Sequence, residues 1–241
     1  MLYLIGIGLS PADLTVGGIE AGKAADELYI EQYTSLWKGS AADIEKAMGK
    51  KPVLLKRKGL EDDSVLLVER AKEKNIAVLI IGDPLSATTH MELLLECKKQ
   101  SVPCKVFHSV SIFSVIAETG LQLYKFGRTA TIPFTGQLTA VKETIEGNKK
   151  LGLHTLLLLD LDSEVNLYMG PVDALKFLLK AKITKPAEKF VAAAALGTPE
   201  QTIVYAPVKE LLEKRFPYPA VLILPGKLHF KEKEALETYS K

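Results

Sequence analysis

Small and polar residues follow two apolar stretches in the first third of the chain. Residues 3–10 read YLIGIGLS, and residues 82–90 read GDPLSATTH after an unbroken apolar run. Glycine lets a ligand approach main-chain amides, and the Asp83 carboxylate can accept hydrogen bonds from an ammonium group or a ribose hydroxyl. Taken alone, the first segment is more simply a tight strand exit, and the second could be an Asp turn. For the second segment a ligand site and a simple turn both stay open, because its polar groups are many for a turn alone. His90 by itself fits a helix-surface or capping position.

The glycine segment departs from the dinucleotide-binding fingerprint. That fingerprint, G-x-G-x-x-G, needs a third glycine where Pro11 stands, although Glu31 is available as the acid after the second predicted strand. We therefore expect a loop that does not cradle a pyrophosphate.

Three later segments also place polar groups after predicted strands. Ser111 lies in the run HSVSIF (108–113), acids end the run LDLD (159–162), and His229 lies in the turn PGKLHF (225–230). A helix cap with apolar packing explains Ser111 alone, and a lone histidine is usually structural. No motif for a catalytic nucleophile, a P-loop or a metal site is found, so no metal is expected. Loops without such groups suit a transferase whose cosubstrate carries the reactive bond.

The composition favours a cytoplasmic globular protein. Of 241 residues, 47% are hydrophobic and 25% charged, and 31 basic against 29 acidic residues give a formal net charge of +2. So small a charge predicts neither nucleic acid nor a membrane as the main partner. The apolar N-terminus lacks the basic region of a signal peptide. Cys97 and Cys104 lack metal-ligand spacing, so we expect reduced thiols.

Alternating strand and helix patterns predict an α/β fold. Strands are expected at 2–7, 27–31, 52–56, 76–81, 103–107, 129–133, 154–160, 190–196, 201–205 and 220–224. Helices are expected at 15–25, 41–48, 62–74, 89–99, 111–119, 138–149, 170–181, 207–215 and 231–239. Residues 76–81 are apolar at every position, which indicates a parallel sheet covered on both faces. The fifth strand ends near 108, where we place a domain boundary.

These segments, in this order, resemble the tetrapyrrole methylase family and, within it, the diphthine synthase family. The shared stretches are LYLIGIGL with DLT after it, GDPLSATTH, HSVSIFSVIAETGLQLYKFGRTATIPF, LLLLDL and LILPGKLHFKEKEAL, which together span nearly the whole chain. GDPL combined with ATTH, and the run ETGLQLYKFGRT, are very specific. Ser86 stands where the family usually has a hydrophobic residue, and Ser109-Val110 stand where it usually has Asn-Ala. Both departures are compatible with the same chemistry.

The resemblance implies a tetrapyrrole-methylase-like α/β protein with two domains and S-adenosylmethionine in the cleft between them. The domains would be residues 1–108, with a parallel sheet, and residues 109–241, with a mixed sheet. Carried onto matching positions, the cofactor contacts would be Leu9, Asp83, Ser86, Ser111, Ile112, Leu161, His229 and either Tyr205 or Ala206. Each lies at or just after a predicted strand end.

The resemblance also implies the reaction. The substrate would be a histidine of translation elongation factor 2 that already carries a 3-amino-3-carboxypropyl group. Its amine would attack the sulfonium methyl group repeatedly, giving diphthine on the way to diphthamide. The amine must lose a proton before each transfer, and Asp83, His90 and water are the candidate bases. A homodimer in the cytoplasm is expected.

Two other functions are weighed against this one. A corrin or porphyrin ring methylase would share the fold and cofactor but would need a trough for a large anionic macrocycle, and the run ETGLQLYKFGRT argues against it. A non-catalytic nucleotide-binding regulator is the alternative from another class. Methyl transfer to elongation factor 2, but not to porphyrinogens, separates the three.

Overall fold

The computed structural model describes residues 1–33, 35–56, 60, 64–163 and 165–240. The chain divides into two compact units, Met1–Ile112 and Phe113–Lys241. The boundary that we place near residue 108 lies just before this division. Each unit contains a five-stranded sheet accompanied by helices, so the expected α/β class is confirmed.

The first unit is built on a sheet of five parallel strands. The strands are β1 (Leu2–Gly6), β2 (Glu27–Glu31), β3 (Val53–Leu55), β4 (Ile76–Ile80) and β5 (Cys104–Phe107). Their order is β3-β2-β4-β1-β5, and every neighbouring pair is parallel. Because all five strands run the same way, their carboxyl ends meet at one edge, where open α/β sheets bind ligands.

The central strand β4 is buried on both faces. Ile76, Val78 and Ile80 belong to one hydrophobic cluster, whereas Ala77 and Leu79 belong to another. Successive side chains of a strand point to opposite faces, so a strand covered on both sides must be apolar at every position. This confirms the interpretation of the apolar run at 76–81.

The described part of the first unit contains four of the predicted helices. They are α1 (Val16–Ala24), α2 (Ala41–Met48), α3 (Ser64–Arg70) and α4 (Met91–Lys99). Thr15 caps α1, because its hydroxyl oxygen accepts the Gly18 amide at 3.1 Å. The helix predicted at 62–74 ends at Arg70 instead, and residues 62 and 63 lie outside the described residues.

The second unit is built on a mixed sheet. Its strands are β6 (Ala130–Ile132), β7 (Thr155–Leu159), β10 (Lys189–Ala194), β11 (Thr202–Pro207) and β12 (Ala220–Leu224), in the order β11-β10-β12-β7-β6. Only β6 and β7 are parallel within this sheet. A hairpin of β8 (Leu161–Asp162) and β9 (Leu167–Tyr168) was not predicted, since strands of two residues show no periodicity.

The other helices differ most from the prediction at two places, and elsewhere their ends differ by one or two residues. They are α5 (Ile112–Val115), α6 (Thr139–Leu151), α7 (Pro171–Lys180), α8 (Val208–Leu211) and α9 (Phe230–Glu237). The helix predicted at 111–119 is α-helical only to Val115, and a 3-10 helix follows from Ile116 to Thr119. The helix predicted at 207–215 is wrong at both ends. Pro207 instead completes β11 opposite Lys189, a position at the end of an edge strand that suits a residue without an N–H.

Within the described ranges, no helix is long and apolar enough to cross a membrane.

Candidate functional site

The loops after β1, β4 and β5 come together at the carboxyl edge of the first sheet. β1 lies between β4 and β5, so the segments that follow these strands are neighbours. Gly82 donates its amide to the Gly8 carbonyl at 2.9 Å, and Gly8 donates to the Gly82 carbonyl at 3.2 Å. The φ values of Gly8 and Gly82 are 66° and 75° respectively, a conformation that glycine adopts without steric cost. The segments 3–10 and 82–90 are therefore hydrogen-bonded to each other at this edge of the sheet.

An internal carboxylate binds the main-chain amides of the glycine loop. Oδ2 of Asp13 accepts the amides of Leu9 and Ser10, both at 3.0 Å, and the Ser10 hydroxyl at 3.3 Å. In a dinucleotide-binding loop such amides face a pyrophosphate, so a carboxylate there competes with and repels that anion. This agrees with the expectation that the loop does not cradle a pyrophosphate.

The Asp83 carboxylate accepts four hydrogen bonds at the same edge. Oδ1 accepts the Leu85 amide at 3.0 Å and the Ser86 hydroxyl at 3.2 Å. Oδ2 lies 2.7 Å from Nδ1 of His108 and accepts the Ser109 amide at 3.3 Å. Burial raises the pKa of Asp83, but the hydrogen bonds from Leu85, His108 and Ser109 outweigh burial and hold the pKa below its usual value. Asp83 is therefore ionised at neutral pH and ties the end of β4 to the end of β5.

Five of the expected cofactor contacts lie at this edge. They are Leu9, Asp83, Ser86, Ser111 and Ile112. Asp83 and Ser111 are buried, whereas the other three are half-buried. The structure thus gathers residues from three separate strand ends, as one ligand site requires, although their contact with a cofactor stays a prediction.

His90 does not occupy the helix-surface position that its sequence context favours. Its side chain is only 2% exposed, and its Nδ1 lies 3.2 Å from the Pro84 carbonyl oxygen. The Thr88 hydroxyl donates to the same carbonyl at 2.8 Å, so residues 84–90 form a compact turn. His90 precedes α4 without a capping hydrogen bond from its side chain. The surface assignment is therefore wrong, whereas His90 does stand at the N-cap position of α4.

The expected contacts of the second unit lie at two different edges of its sheet. Leu161 follows the end of β7, whereas His229 lies in the turn after β12. These strands are antiparallel, with Thr155 opposite Leu224, so the end of β12 lies beside the start of β7. The two residues therefore follow strand ends at opposite edges of this sheet, and their contact with one cofactor stays a prediction.

The two alternative contacts on β11 have different environments. Ala206 is 5% exposed and belongs to the hydrophobic core, whereas Tyr205 is half-buried on the other face of the strand. The Tyr205 amide donates to the Tyr239 carbonyl at 2.9 Å, and burial raises the pKa of the Tyr205 hydroxyl. Of the two, Tyr205 has the side chain that lies outside the core, and its contact with a ligand stays a prediction.

A buried ionic cluster holds the turn that contains His229. Oε1 of Glu232 accepts the Gln122 amide at 3.0 Å and lies 2.9 Å from Nε2 of His154. Oε2 accepts the His229 amide at 2.7 Å and contacts the Lys125 ammonium group. Burial raises the pKa of Glu232, yet these donors lower it to about 2. The cluster joins the run ETGLQLYK to the turn PGKLHFKE.

Asp13, His108 and Glu232 were not among the expected site residues. Asp13 and Glu232 each bind the amide of a residue three positions earlier, Ser10 and His229 respectively. An acid three residues after a capping residue is the capping-box spacing, so this was the signal available in the sequence. His108 has no comparable local signal, because its partner Asp83 is 25 residues away.

The chain is similar to known methylases along nearly its whole length. A family profile described as Tetrapyrrole (Corrin/Porphyrin) Methylases matches residues 1–212. A diphthine synthase of Methanocaldococcus jannaschii is 38% identical over 98% of both chains. One from Methanothermobacter thermautotrophicus is 38% identical over 98% of this chain and 94% of that protein.

The chain belongs to the diphthine synthase family. A crystal structure of a diphthine synthase agrees with the whole fold, with a TM-score of 0.93 and 34% identity, and covers 100% of this chain and 96% of that one. The match to the diphthine synthase family therefore includes both the edge that carries Asp83 and the turn that carries His229, which lies beyond the profile match.

Proposed function

We propose that this protein methylates the amino group of the 3-amino-3-carboxypropyl histidine of translation elongation factor 2, giving diphthine in diphthamide biosynthesis. The supporting observation is the similarity to diphthine synthases, which reaches 38% identity over 98% of the chain and extends to the structure. A shared fold alone does not imply a shared substrate. Similarity along both whole chains, including the run ETGLQLYKFGRT, does favour a shared substrate.

The methyl donor in this proposal is S-adenosylmethionine, with S-adenosylhomocysteine as its product. When bound, the donor supplies a methyl carbon on a positively charged sulfur atom. The residues that would hold it are Leu9, Asp83, Ser86, Ser111, Ile112, Leu161, His229 and Tyr205 or Ala206. The first-unit edge offers an ionised carboxylate and hydroxyls, while Asp13 occupies the amides that a phosphate would need. These groups suit a cationic ligand with ribose hydroxyls and disfavour a dinucleotide.

The protein's contribution to the rate is positioning, exclusion of water and removal of a proton. Only the neutral substrate amine has a lone pair for attack, so one proton must leave before each transfer. A sulfonium is a good leaving group, so holding the amine in line with the methyl group supplies much of the rate. Transfer can repeat only while the nitrogen keeps a lone pair, so three methyl groups are its upper limit.

Transfer to a corrin or porphyrin ring is the competing function, because the profile that matches the chain is described by those substrates. The decisive experiment offers methyl-labelled S-adenosylmethionine together with elongation factor 2 that carries the 3-amino-3-carboxypropyl histidine. We expect label on this protein and none on a porphyrinogen. Elongation factor 2 with an unmodified histidine is the matched control and should stay unlabelled. Label on the porphyrinogen alone would contradict the proposal, and binding of the donor without transfer to either acceptor would support a regulator.

The proposed partners are elongation factor 2 and a second copy of this chain. The net charge of +2 favours an encounter through local patches rather than through a strong overall field. A two-fold dimer, the commonest soluble assembly, would have to leave the donor site open to a protein substrate. Because elongation factor 2 acts in translation, the proposal also places the enzyme in the cytoplasm.

A further inference from the structure

His108 and Asp83 form a histidine–carboxylate pair at the carboxyl edge of the first sheet. Nδ1 of His108 lies 2.7 Å from Oδ2 of Asp83. An ionised carboxylate only accepts hydrogen bonds, so Nδ1 carries the proton and donates it. In the neutral ring, Nε2 then holds a lone pair on the side away from Asp83 and is ready to accept a proton.

The carboxylate of this pair is held rigidly. Besides His108, Asp83 accepts the Ser109 and Leu85 amides and the Ser86 hydroxyl, so both of its oxygens are fixed. The low pKa of Asp83 keeps it charged at neutral pH, where it stabilises a positive charge that develops on the imidazole. Ser109 is itself anchored, because its hydroxyl donates to the Asp13 carbonyl at 2.9 Å.

The other three histidines do not present an accessible lone pair at Nε2. His154 and His229 accept main-chain amides at Nδ1, from Gly226 at 2.9 Å and Lys231 at 3.3 Å, so their neutral rings carry the proton on Nε2. His90 is only 2% exposed. The side chain of His108 is 67% exposed, as a group that serves a large protein substrate must be.

We propose that His108 is the general base of methyl transfer and that Asp83 is its positioning residue. The assignment rests on the proposed function, since it requires an amine that must be deprotonated. Nε2 of His108 accepts one proton from the substrate ammonium group, and the amine nitrogen keeps the electron pair. That pair forms the new nitrogen–carbon bond, while the electrons of the breaking carbon–sulfur bond remain on sulfur. His108 then releases its proton to water, and each further methylation repeats the cycle.

The position of His108 agrees with this role. It follows β5 directly, beside the loop of β1, and Ser111 and Ile112 follow three and four residues later. Charged groups of the neighbouring elements include the Asp83 carboxylate, the Asp13 carboxylate, which binds the Leu9 and Ser10 amides, and Lys105, whose ammonium group lies over the Phe107 ring. Asp83 is the one of these that contacts the imidazole.

The test measures single-turnover methyl transfer to modified elongation factor 2 across pH, together with calorimetric binding of S-adenosylhomocysteine. His108→Gln should lower the rate about 100-fold at neutral pH, the lower end of general-base effects. Its affinity for S-adenosylhomocysteine should stay within twofold of wild type. The rate of the variant should keep rising into the alkaline range, because loss of the amine proton then depends on solvent. Lys105→Gln, an exposed change on the same strand, should match wild type throughout.

A measurement on the resting protein checks the geometry independently of activity. Long-range nitrogen–proton NMR spectra of wild-type protein should show His108 as the Nδ1–H tautomer, and Asp83→Asn should shift it toward Nε2–H. A wild-type rate for His108→Gln, or an Nε2–H tautomer in the wild type, overturns the assignment. If wild-type protein binds S-adenosylhomocysteine but transfers no methyl group to elongation factor 2, the proposed function fails and the base assignment fails with it.

Discussion

Nε2 of His154 lies 2.9 Å from Oε1 of Glu232, although 78 residues separate the two along the chain. Nδ1 of the same ring accepts the Gly226 amide at 2.9 Å, so the imidazole is neutral and donates its single proton to Glu232. Both side chains are buried, at 0% and 1% exposure. This pair links the start of β7 to the start of α9 and therefore fixes the turn that joins β12 to α9.

Removal of the Glu232 carboxylate should strongly destabilise the fold. Glu232→Ala leaves the His154 ring and the amides of Gln122 and His229 without their acceptor. It also removes the carboxylate partner of Lys125, whose ammonium group keeps only the Lys227 carbonyl. Breaking a buried ion pair from one side costs about 3–5 kcal/mol. Chemical denaturation followed by circular dichroism measures this loss.

Glu234→Ala on the same helix is the matched control. Glu234 pairs with Lys231, and their side chains are 66% and 65% exposed. Its removal should cost less than about 1 kcal/mol, because exposed ion pairs contribute little. Equal losses in the two variants would contradict a stabilising role for the buried cluster.

Stability should fall as the solution is acidified, in two stages. Burial lowers the pKa of His154 below its ordinary value of 6.5, and the surrounding donors lower the pKa of Glu232 from 4.5 to about 2. Both groups bind fewer protons in the folded than in the unfolded protein, so the stabilisation is complete above the unfolded values and decreases below them. We expect the melting temperature to decline below about pH 6.5 and more steeply below about pH 4.5. A melting temperature that stays constant from pH 7 to pH 4 would contradict this.

S-adenosylhomocysteine should bind and raise the melting temperature, because a ligand that binds only the folded state stabilises it by mass action. At 100 times its dissociation constant the gain is about 2.7 kcal/mol. NAD should have no effect, since Asp13 occupies the amides of the glycine loop. Isothermal calorimetry compares the two ligands directly. Binding of NAD without binding of S-adenosylhomocysteine would contradict the proposed cofactor.

Gly8→Ala and Gly49→Ala should separate backbone strain from steric exclusion at the first-unit edge. Both glycines have positive φ, 66° and 73°, so each alanine costs about 1–2 kcal/mol for the left-handed conformation. A Cβ on Gly49 meets nothing within 4 Å, whereas a Cβ on Gly8 would lie 2.1 Å from Cβ of Asp13. Gly8→Ala should therefore lose about 1–3 kcal/mol more, the usual cost of overpacking, in urea denaturation. Equal losses of unfolding free energy in the two variants would mean that the Asp13 side chain can move away from the added methyl group without cost.

The protein should be a dimer in solution. Family resemblance motivates this expectation, and two-fold dimers are the commonest soluble oligomers. Light scattering at micromolar concentration should give about twice the monomer mass of 26.4 kDa. A monomer mass over the whole range of protein concentrations would contradict the dimer prediction and leave the methyltransferase proposal intact.

Local sequence patterns predicted most elements because the physical causes of those elements are local. The unbroken apolar run at 76–81 follows from burial of β4 on both faces, and Thr15 caps α1 through a hydroxyl three residues from the amide that it binds. The same local reasoning failed for 207–215, where Pro207 suits both the first turn of a helix and the end of an edge strand. Its pairing with Lys189 decided between them.

The sequence by itself determined the α/β class, the five strands of the first unit and the strand ends at which polar residues collect. Strand periodicity and helix capping act over a few residues, so they can be recognised in the chain alone. Only the tertiary structure decided which polar groups meet. Asp83 reaches His108, and Glu232 reaches His154, through parallel and antiparallel pairing of strands that are distant in the chain. The tautomers of these histidines, and hence the chemistry that each can perform, follow from those long-range contacts.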